Sequence, residues 1–303
     1  MKKVLVLYYS QSGQLKRVID SFISNLPDSE IKVDLKIISP KTAYPYPWPF
    51  YHFFDEFPES VYLDGCEVQE LENLEDEYDL IILAYTVWFL APSLPIVGFL
   101  KSEQAKKLFK NKPIITLIGC RDMWTMAQEK MKELLLNLDA RLIDNVVLTD
   151  QGKSIYTFFT TPRWLLTGKK DKYMFFPPAG ISDEDIQNAS RFGLRINEAL
   201  KQNREKENQP LLTNLNAVNA DGKLVAAEKI ATRSFNVWGK LIKLAGRKYS
   251  FGRKIVISIY ALFLITLILT VVPLNILIRK LIYPFQKEKI KSLEKYFEQP
   301  SGR

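Results

Sequence analysis

Three short stretches hold the residue types that could grip a charged or planar ligand. The first is Ser10-Gln11-Ser12-Gly13-Gln14, two hydroxyls and a glycine set directly behind the apolar run Val4–Tyr9. Hydroxyls and a residue lacking a Cβ let backbone N–H groups close around an oxyanion where a helix begins, which is what a terminal phosphate requires. The second stretch, Thr86-Val87-Trp88-Phe89-Leu90-Ala91-Pro92, follows the apolar run Leu80–Tyr85. It offers aromatic surface against which a flat ring can bury area, and stacked aromatic pairs add about 0.5–1.5 kcal/mol beyond that area. The third, Gly119-Cys120-Arg121-Asp122-Met123-Trp124, follows Ile114–Ile118 and adds a cation, a carboxylate and an indole. Tyr85, Asp122 and His52, the only histidine, are the candidates for moving protons. Cys66 and Cys120 suit neither a disulfide framework nor a metal site, and Cys120, with no histidine nearby, reads as a small buried thiol.

These stretches need a scaffold that brings three strand ends together. The runs Val4–Tyr9, Leu80–Tyr85 and Ile114–Ile118 are continuously apolar, as strands covered on both faces of a parallel sheet should be, whereas Ile31–Ile38 alternates like an outer strand. Arg141–Leu148 supplies a fifth strand, and helices are expected over Gln14–Asn25, after Trp124 through Asn137, and over Ser182–Gln202. Ser182 with Asp183, Glu184 and Asp185 is a helix start of good chemistry. The predicted class is α/β, a doubly wound parallel five-stranded sheet in the order 2-1-3-4-5, with ligands at the carboxyl ends of the strands. Two aromatic inserts interrupt it, one near 39–62 with five prolines, the other near 149–181. The first is either a packed surface loop or a lid over an apolar ligand.

On the residues above, the chain resembles the flavodoxin family. Ser10-Gln11-Ser12-Gly13-Gln14 is similar to that family's loop for the phosphate of FMN, with Leu15 standing where a hydroxyl is usual. Thr86 to Pro95 resembles the family loop whose backbone and hydroxyl groups meet the isoalloxazine edge beside an aromatic residue. The resemblance thus implies FMN as cofactor, held by Ser10, Gln11, Ser12, Gly13, Gln14, Thr86, Val87, Trp88 and Phe89. Gly119, Arg121 and Asp122 would lie near the pyrimidine end, with Trp124 as a second stacking partner.

The +8 net charge is confined to the tail: 18 Lys and Arg face 7 acids from Asn203 onward, leaving 24 against 27 before it. That distribution argues against a nucleic-acid partner and for a membrane one. Ile255–Ile278 is 24 residues without a formal charge, enough to cross a bilayer. The expected organisation is a flavodoxin-like domain over 1–202, a polar linker over 203–233, a basic amphipathic segment over 234–254, a transmembrane or membrane-embedded helix over 255–278 and a charged tail over 279–303. With no apolar leader ahead of the first strand and seven Lys or Arg between Arg233 and Lys254, the domain is expected on the cytoplasmic face of the inner membrane. Pro273 and the six basic residues from Arg279 to Lys295 leave insertion into one leaflet as a rival to a full span. A chain ending at Gln209 is expected to be soluble and still to bind FMN.

With its YPWPFYHFFDEFPES insert and apolar tail, the whole chain resembles flavodoxin-like enzymes of bacterial dialkylresorcinol and flexirubin-type pigment pathways. That resemblance implies an oxidoreductase that aromatises a lipophilic dialkylcyclohexane-1,3-dione made by a ketosynthase partner. A membrane-attached electron carrier or NAD(P)H:quinone reductase, and a scaffold for the ketosynthase that binds no flavin, are the other two readings.

Overall fold

The computed structural model describes residues 1–27 and 29–302; residues 272, 273 and 275–285 are described by their backbone alone. The chain runs β1 (Lys2–Tyr8), α1 (Gln14–Ile23), β2 (Ile31–Ile37), α2 (Phe50–Asp55), α3 (Phe57–Val61), β3 (Leu80–Trp88), β4 (Ala91–Pro92), α4 (Leu94–Leu100) and α5 (Glu103–Phe109). It continues with β5 (Pro113–Cys120), α6 (Thr125–Leu136), β6 (Arg141–Thr149), α7 (Ser154–Thr167), α8 (Asp183–Asn188), α9 (Ser190–Lys201), α10 (Gly222–Leu244) and α11 (Phe251–Phe297). Five parallel strands form the sheet in the order β2-β1-β3-β5-β6, and β4 pairs antiparallel with β3. This is the predicted 2-1-3-4-5 order with one short hairpin arm added. Val4 to Leu7, Leu80 to Ala84 and Ile114, Ile115, Leu117 and Ile118 are fully buried, because helices cover both faces.

Two expectations fail, and of the two settings open to the 234–254 helix, membrane surface or packing on the domain, the second is observed. The 203–233 segment is no linker: Leu211, Leu212, Ala217, Val218, Ala220 and Val225 are buried in the main core, and Val147 N–H bonds Ala217 O across the sheet edge. Polar composition concealed these contacts because the apolar residues recur with no fixed period. The 234–254 segment spends much of its apolar stripe on protein rather than membrane. Trp238 packs on Tyr260 and Phe263, Ile242 is fully buried, and a Cβ on Gly239 would lie 3.2 Å from Tyr62 Cε2. The helix expected over Ser182–Gln202 is broken at Ala189 into α8 and α9; its cap is as expected, with Ser182 Oγ accepting from Asp185 N–H.

A second core joins the first insert to the tail. Phe57, Val61, Ile242, Ile257 and Tyr260 are buried together, with Phe57 and Tyr260 stacked at 4.7 Å. Beside it Arg253, nearly fully buried, forms a forked pair with Glu59 (3.0 Å each) and an ion pair with Asp55 at 2.7 Å. Forked guanidinium–carboxylate geometry is the strong form of such a bond.

Candidate functional site

β1 delivers Ser10 to Gly13 to the carboxyl edge of the sheet, and Gly13 takes a left-handed conformation (φ 79°) as α1 begins. No side chain caps α1, so the amides of its first turn and the positive end of its dipole face outward. A Cβ built on Gly13 meets nothing within 4 Å, which makes the cradle open. Ser10 Oγ is shut from solvent without a hydrogen-bond partner among the described residues. Orphaned hydroxyl, uncapped amides and open cradle together fit an oxyanion.

The two glutamines of this loop act elsewhere through their side chains. Gln11 Nε2 donates to Pro45 O and Gln11 Oε1 accepts from Trp48 Nε1, each at 2.9 Å, clamping the first insert over the loop. Gln14 makes a two-way clamp with the Ile181 backbone, at 3.2 and 3.3 Å, and a Cβ on Gly180 would collide with it. Their backbone N–H groups remain the parts suited to a ligand.

β3 runs through Thr86 and Val87 to Trp88 before turning back at Phe89 and Leu90, both with positive φ (49° and 60°). A two-residue turn of this hand normally uses glycine or asparagine, so bulky residues here store strain. Trp88 meets Tyr9, Tyr44 and Trp48 edge-on at 6.0, 5.2 and 5.5 Å, giving an aromatic wall beside the Ser10–Gln14 loop in which Trp88 and Tyr44 are half-buried and Tyr9 and Trp48 buried. Burial pushes the Tyr9 and Tyr44 phenols well up, so both stay protonated. Thr86 contributes its carbonyl to Ser93 N–H. Phe89 departs from expectation: its ring turns toward Phe53 and Phe57, at 4.8 and 5.1 Å, and joins the second core.

The third loop packs against the first, since a Cβ on Gly119 would sit 3.2 Å from Leu15 Cδ1. Arg121 lies over the Phe158 ring at 4.3 Å and donates to Asp122 Oδ1 at 2.9 Å, while Asp122 Oδ2 is buried without a partner. Trp124 is buried in the main core, which removes it as a second stacking surface for an incoming ring. Burial raises the Cys120 thiol well above its ordinary value, as an unreactive sulfur requires.

Behind this loop a cavity of about 270 Å³ opens between Asp122, Thr149 to Ser154 and α10. It contains a residue that sequence reasoning missed. Glu228 is fully buried; its Oε2 accepts from Met126 N–H at 2.8 Å, and its carboxylate faces Thr125. Burial, with the Asp122 charge adding to it, pushes Glu228 up to about 7. The signal was legible: Leu224, Val225 and Glu228 share one helical face, so the acid stands among apolar neighbours.

The other two proton candidates lie apart from the loops. Tyr85 is fully buried and donates to Gln128 Oε1 at 2.7 Å, within an interior chain that continues from Gln128 to Thr116 and Asn145. His52 is exposed on α2 with its ring edge against Tyr249 at 5.0 Å. Asp122 alone of the three sits where strand ends meet.

No family model and no curated protein matches the sequence. Among solved structures, the chain is similar to a flavoprotein in complex with FMN from Lactobacillus acidophilus NCFM, at 23% identity and a TM-score of 0.40 over 48% of this chain and 93% of that one. It is also similar to a flavodoxin from the domain Archaea, at 14% identity and a TM-score of 0.37 over 66% and 99%. A flavone reductase aligns at 14% identity and a TM-score of 0.35 over 66% of this chain and 63% of that one. Strand order and the three converging loops decide the architecture. The fold is flavodoxin-like. In such a fold the crevice at the switch between β1 and β3 is the ligand position, and it is here that the open cradle and Trp88 lie.

Proposed function

We propose that the chain is an FMN-dependent oxidoreductase, attached to the cytoplasmic face of the inner membrane, that aromatises a dialkylcyclohexane-1,3-dione to a resorcinol. The observation that carries the cofactor is the pairing of Ser10's unpartnered hydroxyl with the uncapped start of α1 around an open Gly13. The substrate class follows the sequence resemblance, and a ketosynthase would be the source of such a dione.

Ser10 and the amides from Ser12 to Leu15 would hold the phosphate, and Trp88 with Tyr9 and Tyr44 would line the ring and exclude water. Bound there, FMN supplies a two-electron acceptor, the chemistry that aromatisation needs. Aromatisation also releases a proton, and two carboxylates stand at the third loop: Asp122, whose buried Oδ2 has no hydrogen-bond donor among the described residues, and the buried Glu228. With its pKa near 7, Glu228 is tuned to take and return a proton at neutral pH. The apolar rings of the first insert suit the alkyl chains of a lipophilic substrate.

Two measurements test the reading. FMN titration should give a bound-flavin spectrum, weakened about tenfold or more in Gly13→Val, whose side chain enters the cradle. Anaerobic mixing of FMN-loaded protein with a 2,5-dialkylcyclohexane-1,3-dione should bleach the flavin and yield one resorcinol per flavin. Bleaching by NADH with the dione unchanged would reassign the protein as a reductase, and the absence of any flavin spectrum would leave only the scaffold.

A further inference from the structure

The apolar segment of α11 is bracketed by two anchors on one globular body. Ahead of it, Arg253 is tied to Asp55 and Glu59, and Ile257 and Tyr260 are buried against the first insert. Beyond it, Glu294 Oε1 accepts from Gly222 N–H, Tyr296 Oη donates to Glu129, and Phe297 is buried in the main core. Ser301 Oγ then lies 2.7 Å from Asp144 Oδ1 and accepts from Asn145 N–H at 2.8 Å, inside β6.

Ahead of residue 272 the described surface of α11 is apolar and largely uncovered. Leu262, Ile265, Leu269, Val271 and Leu274 are 46–67% exposed, and an 18-residue window within Phe251–Val271 has a mean hydropathy of 2.4. The hydroxyls in this stretch turn inward on the helix: Thr266 donates to Leu262 O at 2.9 Å and Thr270 to Thr266 O at 2.7 Å. A helix meeting hydrocarbon needs its polar groups satisfied internally in this way. On both sides the sequence carries further cations, with Arg247, Lys248 and Lys254 before and Arg279, Lys280, Lys287, Lys289, Lys291 and Lys295 after.

The geometry points to insertion of α11 into one leaflet of an anionic bilayer, with the chain before and after the apolar segment on the same side as the domain. This deepens the membrane attachment in the proposed function and is independent of its redox chemistry. A full span would carry Ser301 across about 30 Å of hydrocarbon. It would pull Phe297 and Glu298 out of the core, strand the buried Asp144 without its hydroxyl partner and drag six cations through the bilayer. Insertion from one side keeps every one of those contacts, and the basic flanks stay level with anionic headgroups.

The test uses the full-length wild-type chain. Protein is diluted from mild detergent onto preformed vesicles of equimolar phosphatidylcholine and phosphatidylglycerol, so that the domain stays outside, and is recovered by flotation. A membrane-impermeant amine reagent is then applied, with labelling at Lys41 on the domain and at Lys291, both exposed, read by mass spectrometry. Equal labelling of the two lysines in intact vesicles is expected. Protection of Lys291 until detergent is added would establish a span and overturn the inference, and so would failure to float. The double substitution Ile265→Asp with Leu269→Asp should cut flotation at least tenfold while leaving bound flavin unchanged; undiminished flotation would show that the exposed stretch is not the lipid contact. Flavin absorbance on the same samples separates loss of membrane binding from loss of cofactor.

Discussion

Asp144 offers a direct test of tail docking. It is fully buried in β6, where Oδ2 accepts from the amides of Leu211 and Leu212 and Oδ1 from Ser301 Oγ. Burial opposes its charge more than these donors support it, and the balance pushes its pKa up to about 6 from 3.8. The folded carboxyl therefore holds its proton more tightly than the unfolded one. Stability must fall as pH rises from about 4 to about 6 and be flat in this group above that; two pH units correspond to about 3 kcal/mol. Asp144→Asn keeps an oxygen for both amides and places an N–H toward Ser301 Oγ, removing only the charge. Urea unfolding in detergent micelles, followed by tryptophan fluorescence, should show wild type losing about 3 kcal/mol relative to Asp144→Asn between pH 4 and 6.5. Parallel pH profiles would refute the reasoning. Ser301→Ala strips the partner from Asn145 N–H as well and should cost about 1–3 kcal/mol at pH 7; a silent variant would mean that the tail is undocked in solution.

Arg253→Ala should destabilise by about 3–5 kcal/mol in the same assay, since Asp55 would be left charged and buried, with Arg253→Lys recovering part of the loss. Glu228→Gln should flatten the decline in stability that wild type shows as pH rises from about 4.5 to 7, because the folded pKa of Glu228 lies above its unfolded value. If Glu228 takes the substrate proton, the variant also loses the rise in flavin bleaching rate near pH 7, and an unchanged stopped-flow profile would dismiss it from that role. A chain ending at Gln209 should aggregate on expression rather than yield a soluble domain, because it lacks Leu211, Leu212, Val218 and Phe297 from the core; a monodisperse product by gel filtration would contradict the packing.

The sheet was legible because its inner strands are apolar on both faces, and Ile31–Ile38 betrayed its edge position by alternation. The open turn at Gly13 was legible because a glycine among hydroxyls directly behind an apolar run marks a strand-to-helix junction. What escaped depends on contacts distant in sequence. Tyr85 ends an apolar run, and nothing local tells which face its hydroxyl takes; the partner, Gln128, is 43 residues away. Leu211 and Leu212 sit among asparagines and threonines, so composition reported a linker where packing makes a lid on β6. Phe89 adjoins Trp88 in sequence, yet the tight reversal sends the two rings to different cores. α4 and α5 carried ordinary signals, Pro95 in a first turn and the Ser102 cap on Ala105 N–H, in a stretch read only for its aromatic loop.

The Asp55–Arg253 pair also has a meaning in time. A ribosome finishes α2 and α3 long before it makes Arg253, whose guanidinium bonds Asp55 O across a separation of 198 residues. Until then Asp55, Glu56 and Glu59 lack the Lys248 and Arg253 cations that pair with them in the fold, so the α2–α3 turn gains its last polar contacts only after the strands have been made. The apolar stretch of α11 follows Arg253 directly, which makes closure of the insert and synthesis of that stretch nearly simultaneous events in the birth of the protein.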